Sequence, residues 1–208
     1  MSIHELSVRC AAYLARELNT DRIQENRMAF GMELFLGELI KLILVVIISL
    51  LLGILPEVLT VTLTAGFLRL ASGGEHCTAY YRCLIGGVTC FLVLGGIAHL
   101  LYPLLGRLDL LLIVCTGTVI SAGLLYLYAP GDTANKPINT FEEKTRFRKW
   151  ALIIVGLYFV LMVTMMTIPP AEILVLPILI GMLEQSFTVT PWGYRFIHGV
   201  DRVLGGGP

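Results

Sequence analysis

His76 and Cys83 lie in a polar stretch, GGEHCTAYYRC (Gly73 to Cys83), which separates two apolar runs. A thiol becomes an effective nucleophile when a neighbouring base increases its thiolate fraction, and histidine is the usual base near neutral pH. In an unbroken helix the two residues would be ~10.5 Å apart along the axis, too far for a hydrogen bond. We therefore expect the backbone to turn between them, helped by Gly73 and Gly74, with Cys83 near the start of a helix.

Two other readings of this stretch stay open at the level of sequence. Cys77 is a rival nucleophile, although it is adjacent to His76 and neighbouring side chains usually point in different directions. His76, Cys77 and Cys83 are also three possible metal ligands. Because no fourth ligand stands at a familiar spacing, we favour the base and nucleophile pair and expect no cofactor.

The sequence does not identify a third catalytic residue. Glu75 and Ser72 are candidates to orient the histidine, but Glu75 is also explained as a solvated loop acid. The backbone N–H groups around Gly73 and Gly74 are candidates to stabilise an oxyanion.

The composition indicates a membrane protein. Hydrophobic residues make up 56% of the 208 residues and charged residues 14%, whereas soluble domains carry about 25% charged residues. No cleavable signal peptide is evident. The five cysteines have no regular spacing, so we expect reduced thiols.

The elements that must position the polar stretch are predicted to form an all-α polytopic membrane bundle of about six transmembrane helices. An N-terminal amphipathic helix, Ser2 to Leu18, precedes them and is expected at the membrane surface. Pro56 and Pro169 each begin a new helix after a tight turn. The second segment is short for a span. The apolar segments are approximately 30–55, 57–70, 84–101, 108–129, 151–168 and 171–187.

We treat residues 1–208 as one domain, with an amphipathic region over 1–28, membrane helices over 30–187 and a tail over 188–208. If the N-terminus is cytoplasmic, thirteen Lys and Arg residues fall inside and Arg107 alone falls outside. The positive-inside rule therefore predicts that both termini and the polar stretch are cytoplasmic. Lys41 lies within the first span, three residues after Glu38, and the two can pair on one helix face.

Basic residues near the polar stretch are candidates to bind substrate. Arg69 and Arg82 have the geometry to bind peptide carboxylates, and the loop after the fourth segment could attract an acidic peptide or anionic lipid headgroups. Ordinary topology determination explains the same charges. The loop candidates are Lys136, Lys144, Arg146 and Arg148.

Two motifs resemble the accessory gene regulator B (AgrB) family of membrane peptidases. They are RLASGGEHCTAYYRC (Arg69 to Cys83) and YAPGDTANKPI (Tyr128 to Ile138). The resemblance implies that His76 and Cys83 are the catalytic residues of a cysteine endopeptidase in the bacterial cell membrane. It also implies that the substrate is a short AgrD-like precursor peptide, cut on its C-terminal side and cyclised to a thiolactone or lactone pheromone for quorum sensing.

The resemblance further implies a homodimer, with no nucleic acid among the partners. Small residues permit close helix contacts, and these glycines could serve either a dimer or packing within one chain. They are the glycines at positions 95, 96, 117 and 123. The rival function is a non-enzymatic small transporter or scaffold, for which Glu38 and Lys41 would mark an ion or substrate pathway.

Overall fold

A computed structural model of the chain describes residues 3–75, 77, 80–131 and 140–205. Within these ranges the chain is α-helical, with a 3-10 turn at Tyr102–Leu104 and no β-strand, which confirms the all-α class. The helices are α1 (Ile3–Leu18), α2 (Arg22–Leu51), α3 (Leu55–Ser72), α4 (Tyr80–Leu101), α5 (Arg107–Tyr128), α6 (Phe141–Met165), α7 (Pro169–Glu172), α8 (Val175–Thr188) and α9 (Pro191–Val203).

Five stretches are long and apolar enough to cross a membrane: α2, α4 with its following turn, α5, α6, and α7 together with α8. The sixth apolar segment is α3, whose 18 residues include Glu57 and Arg69 near its two ends. It packs most extensively against α8, and these two helices form the centre of the bundle. The polytopic bundle predicted from the sequence is confirmed.

The first span begins earlier than predicted. α2 starts at Arg22 because the Asp21 side chain accepts a hydrogen bond from the Gln24 N–H at 2.8 Å and caps the helix. Thirty residues extend ~45 Å, longer than the ~30 Å hydrocarbon layer. The first turns of α2 therefore extend beyond an apolar layer of that thickness, and the polar residues up to Arg27 belong to the helix.

α1 packs antiparallel against this extension of α2. The chain reverses at Asn19, which has φ 50°, and His4 Nδ1 lies 3.0 Å from Glu33 Oε2 at the other end of the hairpin. Ala11 and Ala15 are buried, whereas Tyr13 and Leu18 on the apolar side of α1 stay exposed. The helix is thus amphipathic with its large apolar side chains uncovered, as the sequence indicated.

Glycines allow close helix contacts inside the bundle. A Cβ at Gly95 would lie 2.3 Å from Val58 Cγ2, and one at Gly117 would lie 2.7 Å from Leu179 Cδ1. Gly95 and Gly117 therefore serve packing within one chain. Gly123 has no neighbour within 4 Å, so homodimerisation stays a prediction.

The tail over 188–208 contains a helix. Thr190 caps α9 through a hydrogen bond from the Gly193 N–H at 3.1 Å. Gly193 packs against the backbone of Phe187, and Val200 lies beside Gly86 on α4. α9 is thereby attached to the end of the bundle at which α3 ends and α4 begins.

Candidate active site

Cys83 lies at the start of α4, as expected. The helix begins at Tyr80, so Cys83 is its fourth residue. The preceding loop is held against it, because the Cys77 and Cys83 side chains are joined by a hydrogen bond. His76 lies outside the described residues, and its distance to Cys83 stays a prediction.

Cys77 is poorly suited to act as the nucleophile at neutral pH. The pKa of the Cys77 thiol is raised from 9.0 to about 11, mainly by burial. The negative charges of Cys83 and Asp201 contribute to this increase, and the positive charge of Lys41 opposes it by a smaller amount. Near neutral pH such a thiol has roughly a hundredth of the thiolate of an ordinary one. The high pKa counts against Cys77 as the nucleophile, and the assignment of Cys83 stays a prediction.

The turn that precedes the histidine position is built on two glycines. Gly73 has φ 68° and Gly74 has φ 134°, both in the region that favours glycine. The Arg69 guanidinium lies under this turn and donates from Nη2 to the Glu75 carbonyl oxygen at 2.5 Å. Arg69, proposed from the sequence as a substrate ligand, therefore shapes the turn itself.

The Gly73 N–H donates to the Arg69 carbonyl oxygen at 2.9 Å, which completes the end of α3. That donor is therefore already used, and the oxyanion role of the backbone around Gly73 and Gly74 stays a prediction. Ser72 is fully buried, and its hydroxyl donates its single proton to the Leu68 carbonyl oxygen at 3.0 Å. Ser72 could therefore orient the histidine only as a hydrogen-bond acceptor.

Gln185 is a residue of this site that the sequence reasoning did not identify. Its amide Nε2 donates to Ser72 Oγ and to the Gly73 carbonyl oxygen, both at 2.8 Å, and Arg69 Nη1 lies 3.5 Å from its Oε1. The residue is 1% exposed. It fixes the end of α3 and the glycine turn to α8. The sequence feature that could have identified Gln185 is an amide side chain next to Glu184 in an otherwise apolar segment.

The two motifs from the sequence meet in space. The Gly131 N–H donates to the Ser72 carbonyl oxygen at 2.7 Å, and Gly131 and Gly73 pair as a short parallel bridge. A Cβ at Gly131 would lie 2.9 Å from Gly74 N and 3.0 Å from Tyr194 Oη. The stretch after α5 therefore supports the glycine turn from its other side.

Arg82 is held by α9. Its Nη1 lies 3.4 Å from Asp201 Oδ1, and its Nη2 donates to the Gly205 carbonyl oxygen at 3.0 Å. Asp201 is buried and was not foreseen from the sequence. These internal partners compete with the predicted binding of a substrate carboxylate by Arg82.

The basic loop residues differ in their surroundings. Lys144 and Arg146 are exposed at the start of α6, and Lys136 lies outside the described residues. Arg148 instead donates from Nε to the Ala129 carbonyl oxygen at 2.9 Å. It therefore supports the stretch around Gly131, while Lys144 and Arg146 are available to a ligand.

The Glu38 and Lys41 pair is confirmed, with Lys41 Nζ 2.6 Å from Glu38 Oε1.

As for metals, no cluster of three His, Cys, Asp or Glu side chains suited to an ion occurs in the part of the chain that the structure describes. The metal site considered from the sequence consists of His76, Cys77 and Cys83, and His76 lies outside the described residues.

Comparison with known proteins decides the family. The family model for accessory gene regulator B matches residues 7–189. The chain belongs to this family. It is 28% identical to an AgrB-like protein of Clostridium perfringens (strain 13 / Type A), over 96% of each chain. It is 28% identical to accessory gene regulator protein B of Staphylococcus aureus (strain Newman), over 87% of this chain and 89% of that one.

A third relative, accessory gene regulator protein B of Staphylococcus saprophyticus, is 29% identical over 84% of this chain and 88% of its own. No solved structure matches the chain significantly. The AgrB match includes the glycine turn, Cys83, Gly131 and Gln185, but it ends just before α9.

Proposed function

We propose that this AgrB-family protein is a membrane-embedded cysteine endopeptidase that cleaves an AgrD-like precursor peptide and promotes its cyclisation. The observation that carries the proposal is the position of Cys83. It lies in the first turn of α4, against the loop that contains the histidine position, while the pKa of its rival Cys77 is about 11. The family membership supports a role in accessory gene regulation.

In the proposed reaction, His76 accepts the proton of the Cys83 thiol, and the sulfur attacks the scissile carbonyl carbon. The tetrahedral oxyanion collapses, the C–N bond breaks, and His76 returns the proton to the leaving amine. The C-terminal part of the precursor departs, and the remaining peptide is bound to Cys83 as a thioester.

The thioester preserves the acyl activation of the peptide. If water is excluded, a cysteine or serine side chain within the peptide attacks the thioester carbonyl, and the Cys83 thiol leaves with a proton. The product is a cyclic thiolactone or lactone, and no ATP is consumed. A site at the lipid boundary is suited to excluding water from this step.

The positive-inside distribution supports a cytoplasmic site and cytoplasmic termini, so we propose that the precursor reaches the enzyme from the cytoplasm. Lys144 and Arg146, exposed at the start of α6, would attract its acidic tail. Homodimerisation is part of the same proposal. Replacing Lys144 and Arg146 by glutamine should lower cleavage without changing insertion if these residues recruit the peptide.

The test uses the purified protein in lipid with its cognate precursor, followed by mass spectrometry. Wild type should release the C-terminal fragment and a cyclic product, whereas Cys83→Ala and His76→Ala should release neither. Cys77→Ser should still cleave. Normal processing by Cys83→Ala would overturn the proposal and favour a transporter or scaffold.

A further inference from the structure

Lys41 is a buried cation inside the membrane bundle. Its side chain is 10% exposed, and its partner Glu38 lies on the same helix with a side chain that is 59% exposed. Burying an ammonium group is costly, and a buried ion pair stabilises a fold no better than well-packed apolar residues do. The pair with Glu38 therefore does not by itself explain a lysine at this position.

The path of the Lys41 side chain runs across α4 at Gly87. A Cβ at position 87 would lie 3.2 Å from Lys41 Cε and 3.6 Å from its Nζ, so the glycine leaves the space in which the lysine lies. The same stretch of α2 contacts α4 again one turn earlier on α2 and two turns earlier on α4, where the Tyr80 hydroxyl donates to the Gly37 carbonyl oxygen at 2.9 Å.

Cys83 lies between these two contacts on α4. It is three residues after Tyr80 and four before Gly87, so it belongs to the same side of the helix. The Lys41 ammonium is thus about one helical turn, ~6 Å along the axis, from the level of Cys83. Its charge also acts on the Cys77 thiol, in the direction that favours thiolate.

We propose that Lys41 is a further functional residue of the peptidase reaction, whose ammonium stabilises the negative charge that forms on the Cys83 sulfur. This inference rests on the proposed function. The other charged or titratable groups around Lys41 and the thiols oppose or share this effect, and the experiment must hold them constant. They are Glu38 from α2, Arg69 from α3, Tyr80 and Arg82 from α4, Glu184 from α8, Asp201 from α9 and Cys77 from the loop.

The experiment measures alkylation of Cys83 by iodoacetamide in the full-length protein in lipid, resolved by peptide mass spectrometry. At pH 7.5, Lys41→Met should lower the Cys83 rate about tenfold, which corresponds to ~1.4 kcal/mol of lost charge stabilisation. Lys41→Arg should restore most of the rate, and the wild-type and Lys41→Met rates should converge at strongly alkaline pH. Cys10 on α1 is the internal reference and should not change.

A purely structural role would change unfolding temperature without this selective loss. Should Lys41→Met fail to insert, Gly87→Ala provides the second variant, since its Cβ would lie 3.2 Å from Lys41 Cε and shift the end of the lysine side chain, which should lower the Cys83 rate in the same direction but by less. If wild type cleaves the precursor normally but Cys83 in Lys41→Met alkylates at the wild-type rate, the inference about Lys41 is wrong and the proposed function is unaffected. Where Lys41→Met does not insert, a wild-type Cys83 rate in Gly87→Ala has the same meaning. Absence of cleavage by wild type would overturn the proposed function, and the catalytic use of Lys41 with it.

Discussion

Replacing Gln185 by leucine should uncouple the glycine turn from α8. The change keeps the volume of the side chain but removes the two 2.8 Å hydrogen bonds that Nε2 donates to Ser72 and Gly73. It leaves two acceptors without these donors, at ~1–3 kcal/mol each when buried. We expect a loss of about 2–6 kcal/mol in the stability of the turn.

That energy lowers the equilibrium constant for forming the turn by roughly thirtyfold or more, at 1.4 kcal/mol for each factor of ten. The assay is precursor cleavage in lipid, measured with thermal unfolding of the same sample. Ser186→Ala is the matched control, because Ser186 is also buried on α8 but contacts Ser121 at 2.5 Å, away from the turn. It should lower stability slightly and leave cleavage intact. If Gln185→Leu cleaves as fast as Ser186→Ala, our account of the turn is wrong.

Three further outcomes are expected. Alkylation of Cys77 should rise about tenfold per pH unit from pH 8 to 10, because burial raises its pKa to about 11, and a plateau at pH 9 would contradict this. Asp201→Asn removes a charge that raises the Cys77 pKa, so the variant should label Cys77 several times faster at pH 8, measured by peptide mass spectrometry. Gly131→Ala places a Cβ 2.9 Å from Gly74 N and should cost ~1–3 kcal/mol and most of the cleavage. Gly123→Ala, with no neighbour within 4 Å, is its control, and equal cleavage by the two variants would refute the contact.

Local features of the fold could be predicted from the sequence. Hydropathy located the apolar helices, and Pro56 and Pro169 lie in the first turns of α3 and α7 as expected. The pairing of Lys41 with Glu38 followed from their spacing on one helix. Each of these features depends on residues only a few positions apart, which sequence patterns report directly.

The long-range contacts of the site could not be predicted. Gln185 is 113 residues from Ser72, and Asp201 is 119 residues from Arg82, so no local spacing connects either pair. Both contacts arise from the way α3, α4, α8 and α9 pack, which is set by the whole bundle. The meeting of Gly131 with Ser72 has the same origin, because it depends on where α5 ends relative to α3.

The identity of the nucleophile is the central claim, and trapping the acyl-enzyme tests it most directly. The precursor carries alanine in place of its ring-closing cysteine or serine, so that the thioester accumulates on the purified enzyme in lipid. Peptide mass spectrometry of the trapped protein should locate the N-terminal part of the precursor on Cys83, and the adduct should disappear with hydroxylamine. An adduct on Cys77, or release of the C-terminal fragment with no adduct on any cysteine, would contradict the account.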